Sequence, residues 1–399
     1  MPIVVNTQNV LIRAANTVMS RAFFPRFKES LYKDLCASYV STAFVEPHAI
    51  LGSVPGLKLY NGDLKFASIP SFTLQVPNLL FKNGLSVARS EYEGDQTRTV
   101  VSLSAQLGAR LAEFPDQLFA KRLISGSTAG SQTQVFNGTS YTLTMDSQPF
   151  FSTAHSDWYS GGSQSNIIQG ALPATKAALL AQGYAASALQ MQQDLQVVLD
   201  TLSSVRDNQG IPFYPTIDTK KSVVVIVPRI LEPVAALAFR TGSGAVISQT
   251  TNIAPMFVKD VKTSGYLGGN FTDPETDATI VGPPNPTDYY VLIVDDWVKP
   301  FYYQMYRPPN GDELFPRGYD AGAEVDRLLK AKSDVPIDVD SATAFASTMV
   351  ETTFQRVGAN GDAYTIQKEA FVMSARWRGN LTYGPWFTAY RIIPASGNA

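Results

Sequence analysis

The chain has 399 residues, enough for two or three domains with a substantial core. Its 32 basic and 34 acidic residues leave a formal charge of −2 at pH 7, which argues against a dedicated DNA-binding domain because no overall positive field attracts nucleic acid. Charged residues make up only 17% of the chain, against about 25% in typical soluble proteins, so either copies of the chain cover much of the surface or uncharged polar residues do.

Cysteine usage and the N-terminus restrict the class of protein further. Cys36 is the one cysteine, so an intrachain disulfide and a thiolate metal site are both excluded. The N-terminal residues Met-Pro-Ile-Val-Val-Asn lack the basic and apolar regions of a secretion signal, and aliphatic runs such as Val223–Val227 are far shorter than the roughly 20 residues that span a bilayer. We expect a protein of cytosolic origin with no membrane partner.

The first predicted element is a helical arm. Apolar residues recur mostly three or four positions apart over residues 8–43, with an interruption at Pro25, and several basic residues would lie on the outer face. That face is either solvated or contacts a neighbouring molecule or an anionic polymer, and the sequence leaves both open.

An extended β-hairpin is predicted next. From Leu57 to Tyr92 the chain alternates apolar and polar residues in short strings, and Asn61-Gly62 and Asn83-Gly84 are strong turn signals. A long hairpin with polar residues on both faces buries too little surface to be stable alone, so it needs a partner surface.

Two long helical regions follow the hairpin. The first runs from Asp95, a candidate N-cap, to Ile124, with a kink or restart expected at Pro115. After a predicted loop over residues 126–141, the second region spans residues 173–206 with a break at Gly183.

The rest of the chain predicts an α/β unit and a strand-rich end. The all-β-branched run 222–227 indicates a strand buried on both faces, and strand, helix and strand then follow between about residues 218 and 310. The further predicted elements are helix 230–240, strands 289–294 and 298–306, helical patches 321–332 and 341–355, and strands 369–376 and 386–393.

Residues for chemistry are scarce, and we predict no catalytic, cofactor-binding or metal-binding residue. Ser152, His155 and Asp157 resemble the ingredients of a hydrolase triad, but they lie in one short stretch, whereas a working triad joins separate elements. The acidic groups 295–296 and 273–277 supply oxygen ligands without the spacing of a calcium loop.

The octad Gln148–His155 resembles the Phe-Phe-Ser-Thr-Ala-His signature of major head proteins from Mu-like phages. Five other stretches agree with that family in the same order. They are residues 81–96 with residues 113–118, residues 207–215, residues 297–309, and Ala375–Trp386 with its Arg-Gly-Asn and Tyr-Gly-Pro-Trp segments.

This resemblance implies the α+β tailed-phage capsid fold of the Hong Kong 97 type, with an N-terminal arm (1–48), an extended hairpin loop (49–94), a peripheral domain around a long spine helix (95–217 and 365–399) and an axial domain (218–364). The axial domain is expected to carry an inserted segment near residues 310–364. It implies a non-enzymatic major capsid protein without cofactors that forms hexamers and pentamers in an icosahedral shell around double-stranded DNA. Expected partners are copies of the chain and portal, scaffold or protease proteins, with assembly in the bacterial cytoplasm.

Two alternatives remain open from the sequence, a shell that stores cargo proteins and, remotely, a hydrolase. Within the octad, we expect Phe150 and Phe151 to anchor a loop in the core, while Ser152, Thr153 and His155 satisfy buried backbone groups. The candidate subunit-contact residues are Phe81, Lys82, Asn83, Arg89, Glu91 and Arg378.

Overall fold

The computed structural model describes residues 18, 21–23, 25–26, 29–51, 71–88, 99–156, 161–206, 210, 212, 222–239, 257–295, 299–306, 351–356 and 370–395. Within them the helices are α1 (Tyr32–Leu35), α2 (Thr99–Ser125), α3 (Lys176–Gln182), α4 (Tyr184–Ser204) and α5 (Glu232–Phe239). The first nine strands are β1 (Cys36–Ser41), β2 (Val45–Leu51), β3 (Ser71–Pro77), β4 (Leu79–Ala88), β5 (Thr133–Phe136), β6 (Thr139–Thr142), β7 (His155–Ser156), β8 (Ser163–Gln164) and β9 (Ile167–Pro173). The others are β10 (Val223–Pro228), β11 (Val258–Ser264), β12 (Phe271–Thr272), β13 (Thr279–Ile280), β14 (Tyr289–Ile293), β15 (Phe301–Tyr306), β16 (Glu351–Arg356), β17 (Ala370–Tyr383) and β18 (Ala389–Ala395).

Sheet I contains β1, β15, β17 and β16 in that order, and β4 also pairs with β17. Its inner face packs on α2 through aromatic rings, because alternate residues of each strand point to the same side. Phe114 of α2 lies 4.8 Å from Phe81 and 5.2 Å from Trp377, and Phe119 lies 5.0 Å from Phe301 between ring centroids. Helix α2 is therefore the spine on which sheet I rests.

Sheet II has the order β11, β10, β14, β18, β9. Every residue of β10 is buried, which confirms the predicted strand with two covered faces. The predicted helix after it is also confirmed as α5, with Pro233 tolerated in its first turn. Helix α5 connects β10 to the parallel strand β11, and α4 packs on α5 and β9.

Both long helical predictions are confirmed, with one difference. Helix α2 continues through Pro115 without a restart, and the proposed cap Asp95 lies outside the described residues. Gly183 separates α3 from α4 as predicted, and its φ of +85° explains why glycine occupies this position. Leu195, Val198 and Leu202 form the buried face of α4.

Four local predictions are wrong because tertiary pairing decides them. Residues 36–41 of the predicted helical arm form β1, which pairs in parallel with β15. Asn83-Gly84 does not turn the chain but lies inside β4, opposite Ala375 and Ser374 of β17. The predicted loop 126–141 contains the hairpin β5–β6, and residues 351–355 of a predicted helical patch belong to β16. In each strand, backbone hydrogen bonds to a distant segment outweigh the local preference.

The sheets also bear on the predicted domain boundaries. Sheet II combines β9 and β18, assigned to the peripheral domain, with β10, β11 and β14, assigned to the axial domain. Strand β15, also assigned to the axial domain, pairs with β17 in sheet I. A boundary at residue 217 would divide a hydrogen-bonded sheet, so the fold places residues 167–206 together with residues 223–293. Among the described residues, no helix combines the length and apolar character needed to cross a bilayer.

Candidate functional site at the base of the hairpin

The extended hairpin consists of β2 and β3, which pair antiparallel from Val45 opposite Pro77 to Leu51 opposite Ser71. Within the described residues these two strands pair only with each other, so the hairpin depends on side chains to attach it to sheet I. Its base is closed by the Asn78 backbone N–H, which donates to the carbonyl of Phe44 at 2.8 Å. Asn78 then separates β3 from β4.

A buried amide network joins this base to sheet I. Gln304, which is fully buried in the middle of β15, donates from Nε2 to Asn78 Oδ1 at 2.8 Å, and its Oε1 accepts from His48 Nε2 at 2.6 Å. Asn78 Nδ2 donates to Ser41 Oγ at 2.8 Å and to the Ala43 carbonyl at 2.7 Å. Because each of these buried polar groups has a partner, hydrogen bonds offset the cost of desolvation while the network orients the hairpin.

A second network connects the hairpin base with the C-terminal end of the spine helix. Asn380 Nδ2 donates to the Pro77 carbonyl at 2.8 Å and to Gln134 Oε1 at 2.7 Å. Arg122 Nε donates to the Leu381 carbonyl at 2.7 Å, and Arg122 NH2 reaches Asn380 Oδ1 at 3.3 Å. Asn380 therefore links the hairpin, β5, α2 and β17.

Buried ion pairs hold the same end of α2 to the loop between β12 and β13. Lys121 Nζ lies 2.7 Å from both Asp273 Oδ1 and Glu275 Oε2, and Arg122 NH2 lies 2.8 Å from Glu275 Oε1. Burial alone would raise the pKa of Glu275, but the charges of Arg122 and Lys121 outweigh burial and lower it. The pKa of Asp273 is lowered for the same reason: burial opposes, while hydrogen bonds from Lys121, the Glu275 N–H and Thr276 prevail.

These ion pairs explain the acidic loop that the sequence offered as a possible cation site. Asp273 and Glu275 are engaged by side chains of α2, and no group of three or more potential ligands occurs within the described part of the chain. Of the second acidic pair, Asp296 lies outside the described residues. We call Lys121, Arg122, Asp273 and Glu275 the spine clamp.

The Arg-Gly-Asn segment of β17 has a structural role at each position. The Arg378 guanidinium lies over the rings of both Phe44 and Tyr306, 4.5 Å and 4.2 Å from their centroids. A Cβ at Gly379 would collide with the Gln304 carbonyl, so only glycine allows β17 to approach β15 here. Asn380 supplies the network described above.

The octad anchors a loop between the two sheets, as predicted for Phe150 and Phe151. Both rings are buried; Phe150 stacks on Tyr383 at 4.5 Å, and Phe151 lies 5.4 Å from Tyr290. His155 is fully buried and stacks on Trp386 at 4.5 Å with an interplanar angle of 2°. The octad thus joins residues of β14, β17 and the turn before β18.

Both ring nitrogens of His155 face oxygen atoms. Nδ1 lies 2.7 Å from Asp146 Oδ2, and Nε2 lies 3.2 Å from both the Phe150 carbonyl and Asn166 Oδ1. Each ring nitrogen therefore has an acceptor within hydrogen-bond distance, whichever of the two carries the proton. Ser152 Oγ instead accepts from the Ala154 N–H, and Asp157 lies outside the described residues, so the described residues form no catalytic triad.

The roles expected for Ser152 and Thr153 are not met in full. Ser152 contributes mainly its backbone N–H, which donates to Asn166 Oδ1 at 2.9 Å. Thr153 is exposed, so it satisfies no buried group. Asn166, which the sequence analysis missed, takes that role, since its Nδ2 donates to the carbonyls of Phe150, Trp386 and Ala389.

The subunit-contact candidates fall into three groups. Phe81 and Arg378 pack within their own chain, as described above. Lys82 and Asn83 are exposed on β4, and Arg89 and Glu91 lie outside the described residues. Their part in contacts between subunits stays a prediction.

The sequence analysis did not identify the residues of the two networks or of the spine clamp, because their partners are far away in sequence. Gln304 had one usable signal, a lone amide inside the apolar strand Phe301–Tyr306. Glu275 and Arg122 had none, since their contact spans 153 positions.

Comparisons with known proteins agree with this architecture. The family model of the Mu-like prophage major head subunit gpT matches residues 9–210. Over 139 residues the chain is 28% identical to the Mu-like prophage FluMu major head subunit of Haemophilus influenzae. That alignment covers 33% of this chain and 41% of the relative, so the match spans less than half of the curated protein.

A solved phage capsid shares the fold. The capsid of the cyanophage P-SCSP1u has a TM-score of 0.50 and 10% identity over 92% of this chain and 88% of its own. The capsid of bacteriophage JBD30 has a TM-score of 0.42 and 10% identity, covering 91% of this chain and 64% of its own. The expected α+β fold of tailed-phage capsids, the Hong Kong 97 type, is confirmed.

Proposed function

The chain belongs to the family of Mu-like prophage major head subunits, and from this premise we propose that it assembles with copies of itself into the icosahedral head shell of a tailed phage or prophage. The observation that carries the proposal is the family match over residues 9–210, which includes the hairpin, the spine helix and the octad. In this proposal the protein is structural rather than enzymatic and resides in the virion.

The hairpin supports a role in assembly. Strands β2 and β3 extend from sheet I and are attached to it by the Asn78 and Gln304 network at their base. Leu74 and Val76 of β3 are buried within the chain, whereas Pro47, Ala49, Thr73 and Gln75 are exposed, and a neighbouring subunit covers this exposed side of the hairpin. When such a contact between two different surfaces repeats by rotation, it closes a ring, which gives hexamers and pentamers.

The charge of the chain supports an enclosing rather than a gripping role toward DNA. A formal charge of −2 supplies no field that attracts phosphates, so the shell surrounds double-stranded DNA without sequence-specific binding. Portal, scaffold or protease proteins act with it, and assembly takes place in the bacterial cytoplasm.

Negative-stain electron microscopy of the purified protein at several concentrations, together with size-exclusion chromatography, tests the proposal. Closed shells, or rings of five or six subunits, are expected. Nuclease-protected DNA in shells produced with the phage packaging genes is the outcome that separates a phage head from a cargo store. A chain that stays monomeric even when coexpressed with its neighbouring structural genes would refute shell formation.

A further inference from the structure

The segment from residue 123 to residue 199 is poor in charge. Only four of its residues are acidic or basic, namely Asp146, Asp157, Lys176 and Asp194, whereas charged residues make up 17% of the whole chain. The segment includes the hairpin β5–β6, the octad, and helices α3 and α4. A stretch of this length with so few charges is unusual for a solvated surface.

Two of the three described charged side chains of the segment are engaged within the fold. Asp194 is 5% exposed and accepts from the Ala171 N–H at 2.9 Å and from Tyr289 Oη at 3.0 Å. The Asp146 carboxylate pairs with buried His155 at 2.7 Å. Asp157 lies outside the described residues, so Lys176 is the one exposed charge among the segment's described residues.

The outer surface of α3 and α4 is instead small and apolar. Leu180 is 52% exposed, Tyr184 40% and Val197 47%. The remaining exposed residues of these helices before Asp200, apart from Lys176, are Ala177, Ala178, Ala181, Ala185, Ala186 and Gln193. We call this surface the α3–α4 face. It lies opposite the residues of α4 that pack on sheet II and α5.

A solvated helix face normally carries charged side chains, whereas the centre of a protein interface is depleted in them. Alanine side chains also allow another backbone to approach closely. We infer that the α3–α4 face is buried against a second copy of this chain, an inference that rests on the proposed function.

Other occupants fit the face less well. Binding of DNA requires several cations to replace counterions on the phosphates, and the face has only Lys176 at its edge. A membrane surface is bound by helices with a basic polar face, which is absent from the described part of α3 and α4. A second copy brings charge-poor surface of its own, so association leaves only Lys176 and Asp200, at the two ends of the face, to be desolvated or kept in water.

A charge placed on the face tests the inference. Val197→Glu and Val197→Lys should each reduce the assembled fraction by about tenfold or more, because the buried charge is penalised whatever its sign. Val281→Glu is the matched control, since Val281 is 67% exposed and lies outside the charge-poor segment. It should assemble like the wild type. Circular dichroism of the unassembled variants verifies that the fold is retained.

Each outcome decides between the proposals. Wild-type levels of assembly for both Val197 variants would overturn the inference while leaving the proposed function intact. Stronger assembly with lysine and weaker assembly with glutamate would identify an anionic partner and overturn it as well. Failure of the wild-type chain to assemble even with its neighbouring structural proteins would refute the proposed function itself.

Chemical protection gives a second readout that does not depend on disrupting the shell. Cys36, the one native cysteine, is buried, so an introduced thiol is the main reactive site. Val197→Cys should react with a maleimide at least about tenfold more slowly in assembled shells than in free subunits. Val281→Cys should react at similar rates in both. Equal rates for Val197→Cys in the two states would contradict burial of the α3–α4 face.

Discussion

The spine clamp makes a strong prediction about stability. In Glu275→Gln, the side chain keeps its shape but loses the charge that pairs with Lys121 at 2.7 Å and with Arg122 at 2.8 Å. Removing one partner of a buried ion pair costs about 3–5 kcal/mol because a charge is left without compensation. Asp273 still pairs with Lys121, and Arg122 still donates to the Leu381 carbonyl, so we expect the lower end, about 3 kcal/mol.

Urea denaturation followed by circular dichroism measures this cost. With a slope of about 3 kcal/mol per molar urea, the midpoint should fall by roughly 1 M. Asp277→Asn is the matched control, because it removes an exposed carboxylate from the same loop and tolerates the positive φ at this position. Its midpoint should stay within about 0.2 M of the wild type. Equal midpoints for the two variants at pH 7 would refute the clamp.

The difference should also depend on pH. The pKa values of Asp273 and Glu275 are lowered in the folded state, so their contribution is complete above their ordinary values of 3.8 and 4.5 and is lost as the pH falls through the lower, folded values. The stability gap between the wild type and Glu275→Gln should therefore be constant near neutrality and narrow below about pH 4. A gap that widens in acid would contradict the assigned ion pairs.

Three further substitutions test other parts of the structure. Gly379→Ala should sharply reduce soluble protein because its Cβ collides with a backbone carbonyl, whereas Gly268→Ala, with open space at its Cβ, should not. Burial raises the pKa of Asp116 to about 6, although hydrogen bonds from the backbone N–H groups of Tyr32 and Leu31 act in the opposite direction. The stability of the wild type relative to Asp116→Asn should therefore rise as the pH falls from 7.5 to 5. A difference in urea midpoints that does not change with pH would contradict this. His155→Phe keeps the stack on Trp386 but loses the hydrogen bonds of the ring nitrogens, so it should destabilise the fold by about 2–4 kcal/mol. An unchanged urea midpoint and yield would show that these hydrogen bonds contribute little.

Two Asn-Gly dipeptides of this chain adopt different structures, so the local turn propensity does not decide the conformation. Asn137-Gly138 forms the turn between β5 and β6, with φ of 50° and 79°, because the short flanking strands pair with each other. Asn83-Gly84 has the same turn propensity, yet it continues as strand opposite β17. The dipeptide alone does not distinguish these outcomes, since the competing partner lies almost 300 positions away.

The residues of the octad and their partners show the same contrast between a local sequence pattern and contacts made only by folding. Phe150, Phe151 and His155 were recognisable because the family signature is a contiguous octad, and their burial follows from its apolar character. Their partners Asp146, Asn166 and Trp386 were not recognisable, because only folding brings them to the imidazole and to the loop carbonyls.

The amino-acid sequence is sufficient to predict the elements with a strong local period and their ends: the spine helix, the break at Gly183 and the buried strand Val223–Val227. It also determined the family, through short collinear motifs. Only folding sets the strand pairing, the place of β9 in sheet II, and the contacts of Gln304, Asn380 and the spine clamp. The physical reason is that periodicity and turn propensity act over a few residues, whereas hydrogen bonds and ion pairs between distant segments exist only after the chain has closed around them.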